Sequence, residues 1–341
     1  MKIFILLFLV INFLYGDKIT QPRSTSLKIA SYNVENLFDL NKDGHEYQEF
    51  IPFTASNWNL KTYKIKLQNI ARVIKDIDAD IIAIEEIESL QALKDLRLAL
   101  KQKGLYYQYY KIADRKNTTI KVAFLSKIPF VYAKELAVTP TYRHRNILEA
   151  KFKINGKDLY LFVNHWKAKS GAESKRIVSA KILRKRISEL GYDKNIVLVG
   201  DFNSDYEEYI KFKRKRKLND TGGKTGINHI LKSIKQTQKA SKVKYEKENF
   251  YNLWYDTEEE NRYTYIYRGK KEALDSILIS QPLLDEKDIY YKHSSIRPFQ
   301  PPYLFKGKRI YRWQTTRKNP RRHKGKGFSD HLAVVAEFII R

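Results

Sequence analysis

The sequence predicts one α/β domain whose sheets mix parallel and antiparallel strands. Three observations predict it. Apolar runs of strand length outnumber segments with helical spacing. Several strands follow one another too closely for a crossover helix and read as hairpins. No Pro/Ser-rich linker or short-period repeat divides the 341 residues, so one domain is the economical reading.

The elements follow in order. Residues 1–16 carry Lys2, an almost wholly apolar run and Gly16, which reads as a secretory signal. The run is shorter than the roughly 20 residues of a membrane span, which disfavours the alternative of an uncleaved anchor. Residues 17–26, polar with Pro22, read as a tether. "LKIASYN" (27–33) and "ADIIAIEEI" (79–87) are strands, separated by Leu67, Ile70, Ala71, Ile74 and Ile77 at helical spacing. A second helix carries Leu90, Leu93, Leu96 and Leu100 and stops before Gly104. "KVAFLSK" (121–127), "ILEAKFKI" (147–154) and "DLYLFVNHW" (158–166) are strands, the last two joined by Asn155-Gly156, a hairpin signal. Ile177, Ala180, Leu183, Ile187 and Leu190 mark a third helix ending at Gly191. Strands 195–199, 262–269, 273–280 and 332–340 complete the domain.

Composition narrows the function. The chain has no cysteine, which excludes a thiolate nucleophile, a Cys-ligated metal site and a lipoprotein anchor. Lys and Arg number 65 against 38 Asp and Glu, a formal charge of +27. That excess points to a polyanionic partner: nucleic acid, anionic headgroups or acidic glycans. Two stretches concentrate it. Residues 206–250 contain "KFKRKRK", and 289–329 lack any acid while interleaving basic residues with Tyr303, Phe305, Tyr311 and Trp313. Both read as loop insertions.

Polar residues punctuate the strand ends. Asn33 follows "IASY", Glu85 and Glu86 follow "DIIAI", and His165 ends "LYLFVNH". Asp201 and Asn203 close "LVGDFNSD", Asp275 interrupts "ALDSILIS", and Asp330-His331 precede "LAVVAEF". Residues two apart in a strand face the same way, so Asp201 and Asn203 point together while Phe202 faces the packing. Such ends converge on one rim, where α/β sites form.

In this order, "SYNVENLF", "IAIEEIE", "VNHWKAKSG", "VGDFNSD", "RYTYIYRGKKEALDSILIS" and "GFSDHLAV" resemble the endonuclease/exonuclease/phosphatase superfamily over residues 27–341. Pancreatic-type deoxyribonucleases and bacterial sphingomyelinases belong to it, and the resemblance is nearest to secreted bacterial nucleases. It implies a four-layer α-β-β-α sandwich of two mixed sheets flanked by helices. It also implies hydrolysis of phosphodiesters with a divalent cation, Mg²⁺ or Mn²⁺, and leaves a structural Ca²⁺ open. Glu86 would be the main metal ligand, with Asn33 and Asp330 beside it. Asp201 would orient or deprotonate water, and Asn203 would hold water or a phosphate oxygen. His331, fixed by Asp275, would contact phosphate or act as the base. His165 would be the general acid, and Arg145 would flank the phosphate. Glu85 stands where the family commonly has Gln, implying extra negative charge at the metal. Arg309, Arg312, Arg317, Lys167 and Lys169 are expected to contact phosphates, and Tyr311 and Trp313 to stack on bases. The expectation is an exported monomer, periplasmic or extracellular, cutting DNA and perhaps RNA with little sequence preference. A sphingomyelinase-like enzyme, a phosphatase and a non-catalytic binding protein are the alternatives.

Overall fold

Two sheets stack face to face because alternate residues of their strands offer a continuous apolar layer. The computed structural model describes residues 25–115, 118–141, 144–212, 218–234, 246–317, 319 and 321–341. The apolar leader, most of the tether and residues 213–217 and 235–245 of the first basic insertion lie outside the described residues.

The first sheet runs β13 (Ile289–Tyr291), β17 (Val334–Ile340), β1 (Thr25–Leu37), β2 (Ile81–Ile87), β4 (Lys121–Ser126), β3 (Tyr109–Ile112), with β14 (Arg297–Pro298) also on β17. The second runs β5 (Phe130–Leu136), β6 (Ile147–Ile154), β7 (Lys157–His165), β8 (Ile196–Asp201), β12 (Asp275–Ile279), β9 (Tyr251–Asn252). Two hairpins stand apart, β10 (Tyr265–Tyr267) with β11 (Lys270–Glu272), and β15 (Phe305–Lys306) with β16 (Arg309–Ile310). Helices α1 (Leu60–Ile77) and α2 (Leu90–Gln102) cover the first sheet, and α3 (Glu173–Leu190) covers the second. The layers are those of an α-β-β-α sandwich. Strand β1 begins at Thr25, which pairs with Ile340, so the first strand takes two residues assigned to the tether.

Three apolar clusters fill the layers. Ile29, Ala83, Val163, Val199, Ile277 and Ala336 meet between the sheets. Ile70, Ile74, Leu93 and Leu96 pack behind the first sheet, and Leu183, Ile187, Phe162 and Leu198 behind the second. Each such side chain taken fully from water contributes about 1.5–3 kcal/mol. The α1 terminus is set by an Asn59–Thr62 capping box, and α3 ends at Gly191, whose φ of 98° a side chain would resist.

Two pairs are parallel, β1 with β2 and β7 with β8, joined through α1 and α3. Their carboxyl ends therefore finish together, and β12 starts antiparallel beside β8 at that same end. No helix among the described residues is long and apolar enough to cross a membrane.

Candidate active site

The alternation that buries the inter-sheet core also aims the rim. Ile29 and Ser31 are followed by Asn33 on one face of β1, Val163 by His165 on β7, and Val199 by Asp201 on β8. Asp275 lies opposite Asp201 on β12, on the face of Ile277 and Ile279. Glu86 is the exception. By alternation it would face α1 and α2, but its φ of 63° forms a bulge between Glu85 and Ile87 that re-aims it. Phe202 packs away from the rim, edge-on against Trp166 with ring centres 4.9 Å apart. Gly200 makes the close approach of β8 possible: a Cβ there would fall on the Asn164 carbonyl.

Asp201 is the centre of the arrangement. Its Oδ1 accepts the Asn203 N–H at 2.8 Å and its Oδ2 accepts the Asn33 amide at 3.1 Å. Burial, then the charge of Asp275, pushes its carboxyl up, against the opposing pull of His331. His165 Nε2 lies 3.5 Å from Asp201 Oδ2 and 3.8 Å from Glu86 Oε1. Burial, with Arg145 and His331 near, holds this imidazole well below the usual range, so it is neutral. His331 is the opposite case. Burial works against its charge, but Asp275 Oδ2 at 2.7 Å from Nδ1, helped by Asp201 and Asp330, keeps it well above the usual range. The Thr264 hydroxyl donates to the same Asp275 oxygen at 2.5 Å and fixes the pair.

A second network lies beside the first, and the sequence reading missed its key member. Glu35, two residues after Asn33, is almost fully buried. Arg312 donates to its Oε1 from Nε and Nη2 at 2.9 and 2.5 Å, and the Trp313 N–H reaches Oε2 at 3.1 Å. Arg312 also lies 3.1 Å from Asp330 Oδ2. Below them, from α1, the fully buried Lys66 ammonium has no hydrogen-bond partner among the described residues. Burial lowers it to about 8, against the pull of Glu35, Asp330 and Glu86. Alternation could not have found Glu35, because its φ of 50° lies in the register break of β1 between Asn33 and Leu37.

The structure corrects several expectations. Trp313 is buried in the α1–α2 cluster, its Nε1 donating to His323 Nδ1 at 2.8 Å, so it is no stacking platform. Tyr311 is half-buried with its ring against Phe328. Arg312 is held by Glu35 and Asp330, and Lys169 by Glu208 at 3.0 Å and Glu272 at 3.4 Å, so neither is a free phosphate contact. Asn203 uses its amide to take the Lys169 N–H and to donate to the Trp166 carbonyl, clamping the loop after β7. Arg145 likewise donates to the carbonyls of His165 and Trp166 and positions that strand end. Glu85 is buried on Ser31, and burial with the nearby Asp275 raises it well above the carboxylate range. That shift favours its uncharged form, which resembles Gln in shape and charge. Arg309 and Arg317 are exposed and Lys167 is half-exposed.

Asn33, Glu86 and Asp330 offer hard oxygen donors. Asp201, Asp275 and His331 also bring ligand atoms within 4.8 Å of one another. The Glu86 and Asp330 carboxylates repel each other, and Asp275 Oδ1 is buried without a hydrogen-bond partner among the described residues. This surplus of carboxylate oxygen fits a hard divalent cation.

Residues 28–339 match the model of the endonuclease/exonuclease/phosphatase family. The chain belongs to this family. No curated protein sequence matches it. Among solved structures of the family fold, a humanized TDP2 of Danio rerio carrying 14 mutations is 15% identical, with TM-score 0.55 over 92% of this chain and 98% of that one. An endonuclease/exonuclease/phosphatase family protein of Bacteroides thetaiotaomicron is 16% identical, with TM-score 0.55 over 94% and 99%. A mannosyl-6-phosphatase of the same organism is 15% identical, with TM-score 0.54 over 92% and 99%. At these identities the likeness is one of fold. One surface feature of this family member was not expected from its sequence. The β10–β11 hairpin rises beside His331, with Tyr265 4.9 Å from the imidazole, and exposes Tyr267 and Arg268 at its tip.

Proposed function

We propose that the protein is an exported, divalent-metal-dependent nuclease that hydrolyses DNA phosphodiesters with little sequence preference. The observation that carries the proposal is the division of charge at the rim. A cationic His331 and a neutral His165 flank Asp201, within a chain of net charge +27.

Glu86, Asn33 and Asp330 would hold Mg²⁺ or Mn²⁺, which when bound polarises a phosphoryl oxygen and offsets developing charge. Asp201, its two oxygens oriented by Asn203 and Asn33, is raised by burial toward neutral pH and accepts the proton of water. His331 arrives charged and donates to a phosphate oxygen. His165 is neutral before substrate binds. A phosphate anion beside it favours the imidazolium, so His165 takes up its proton with the substrate and delivers it to the leaving oxygen.

Nucleic acid is favoured by exposed Arg309, Arg317 and Arg268 and by the exposed ring of Tyr267. One TDP2 neighbour was solved with a single-strand DNA product, which agrees with this choice. A lipid substrate would need apolar side chains to enter a membrane from 299–313. There Phe299, Tyr303, Phe305, Tyr311 and Trp313 instead pack inward. Action outside the cytoplasm rests on the apolar N-terminal 16 residues.

The test is a panel of double- and single-stranded DNA, RNA and sphingomyelin vesicles with Mg²⁺ or Mn²⁺. DNA cleavage abolished by EDTA and by Asp201→Ala is expected. Intact DNA and RNA under every metal would refute the proposal, and phosphocholine release without DNA cleavage would replace it.

A further inference from the structure

The turn after β1 reads Asp39-Leu40-Asn41-Lys42-Asp43-Gly44. This D-x-N-x-D-G order is the one in which calcium loops present their first three side-chain ligands, with glycine at the sixth position for the sharp turn. Gly44 here has φ 88°. Such a loop needs a further carboxylate at its twelfth position, which in this chain is Phe50, a core residue. Asp39 is also taken, its two oxygens accepting the Asn41 N–H and the Ser89 hydroxyl at 2.6 Å each, so the turn itself offers Asp43 and Glu46, and the fold adds a third carboxylate from elsewhere. Glu88, just past the end of β2, brings a ligand oxygen within 4.8 Å of those of Asp43 and Glu46.

Glu88 is the second observation. Its side chain is 3% exposed. Its Oε2 accepts the Asp39 N–H at 2.8 Å, while Oε1 is buried with no hydrogen-bond partner among the described residues. None of the ion pairs between described residues involves Asp39, Asp43, Glu46 or Glu88. Lys121 donates to the carbonyls of Glu88 and Thr118 at 2.5 and 2.9 Å and gives the acids one nearby positive charge, which Glu88, Asp43 and Asp39 share. Glu46 accepts the N–H groups of Asp43 and Gly44 and Asp43 accepts that of His45, which orders the turn but leaves its carboxylates without a counter-charge of their own among the described residues, and the buried Glu88 Oε1 beside them has no donor there.

We propose that Asp43, Glu46 and Glu88 form a second metal site, distinct from the rim, that binds Ca²⁺. The chemistry selects calcium over magnesium. The donors are carboxylates on an exposed turn and one rigid strand end, which suits the larger, irregular shell of Ca²⁺ rather than a strict octahedron. Occupancy ties the turn to the strand end carrying Glu86. The proposal does not depend on the phosphodiesterase reading.

The experiment uses full-length protein carrying Glu86→Gln together with Asp201→Asn, which weakens metal binding at the rim. Calcium chloride at about 100 times its Kd should raise Tm by about 3–5 °C, and magnesium chloride by much less. Terbium luminescence excited through the protein's aromatic residues should rise and be displaced by Ca²⁺. Both signals should vanish when Asp43→Asn or Glu46→Gln is added. These two lie on the turn, so they report even where Glu88→Gln fails to fold. A calcium shift that survives both substitutions, or no shift up to roughly 10 millimolar Ca²⁺, about ten times the Kd of the weakest extracellular sites, overturns the proposal. The second result would leave a proton-sharing cluster only.

Discussion

Arg312→Ala separates two roles for one residue. As a phosphate contact, Arg312 would matter to substrate binding and little to folding. As a clamp, it holds Glu35 through two charge-assisted hydrogen bonds and steadies Asp330. Hydrogen bonds to charged groups contribute about 1.5–3 kcal/mol each, so the pair is worth about 3–6 kcal/mol at most. The Arg312 side chain is 53% exposed, and solvent screening removes roughly half of that. The expected loss is about 1.5–3 kcal/mol. At about 2 °C per kcal/mol for a domain this large, Tm should fall by about 3–6 °C. Differential scanning fluorimetry reads that number. The slope of log affinity for DNA against log salt reads the alternative, since losing a phosphate contact makes it shallower by about 1. Arg309→Ala is the internal control, with a shallower slope and an unchanged Tm. Wild-type Tm in Arg312→Ala together with the shallower slope would refute the clamp.

Three further outcomes are expected. His165→Ala should lower kcat by about 10²–10⁴ while Tm holds, since the buried Nδ1 has no partner to lose among the described residues; retained turnover would remove His165 from the chemistry. Lys66→Met should stabilise the fold below pH 8. The buried ammonium, lowered to about 8, binds its proton less tightly folded than unfolded, a penalty of roughly 3 kcal/mol that fades as pH rises from 8 to about 10.5; urea titrations of both proteins across that window should converge at high pH, and a pH-independent difference would contradict the assignment. Trp313→Ala should cost about 3–5 kcal/mol of stability, whereas Tyr267→Ala should leave Tm alone and weaken single-stranded DNA binding by about 1–3 kcal/mol; the reverse pattern would return the stacking role to Trp313.

Most of the rim was legible because strand alternation is strict. Once the apolar residues of β1, β7, β8 and β12 are in register, Asn33, His165, Asp201 and Asp275 have one direction available. Glu86 was found by motif and not by alternation, because its bulge breaks the period. The 289–329 segment was misread for a related reason. Its composition announces aromatic and basic chemistry, but irregular backbone carries no period to say which side chains turn inward. Trp313 and Arg312 are neighbours in sequence and lie on opposite sides of the wall, one in the core and one on the rim. The upward shift of Glu85 was likewise invisible, since it follows from total burial beside Asp275.

The pairing of β1 with β17 has a consequence for when activity begins. Strand β1 hydrogen-bonds from Thr25↔Ile340 to Ser31↔Val334, and the rim takes Asp330 and His331 from just before that last strand. A chain emerging amino end first therefore carries Asn33 and Glu86 for almost its whole synthesis without the histidine and acid that complete them. The rim is complete only when β17 slots beside β1, so its residues come together at the closing of the sheet and not before.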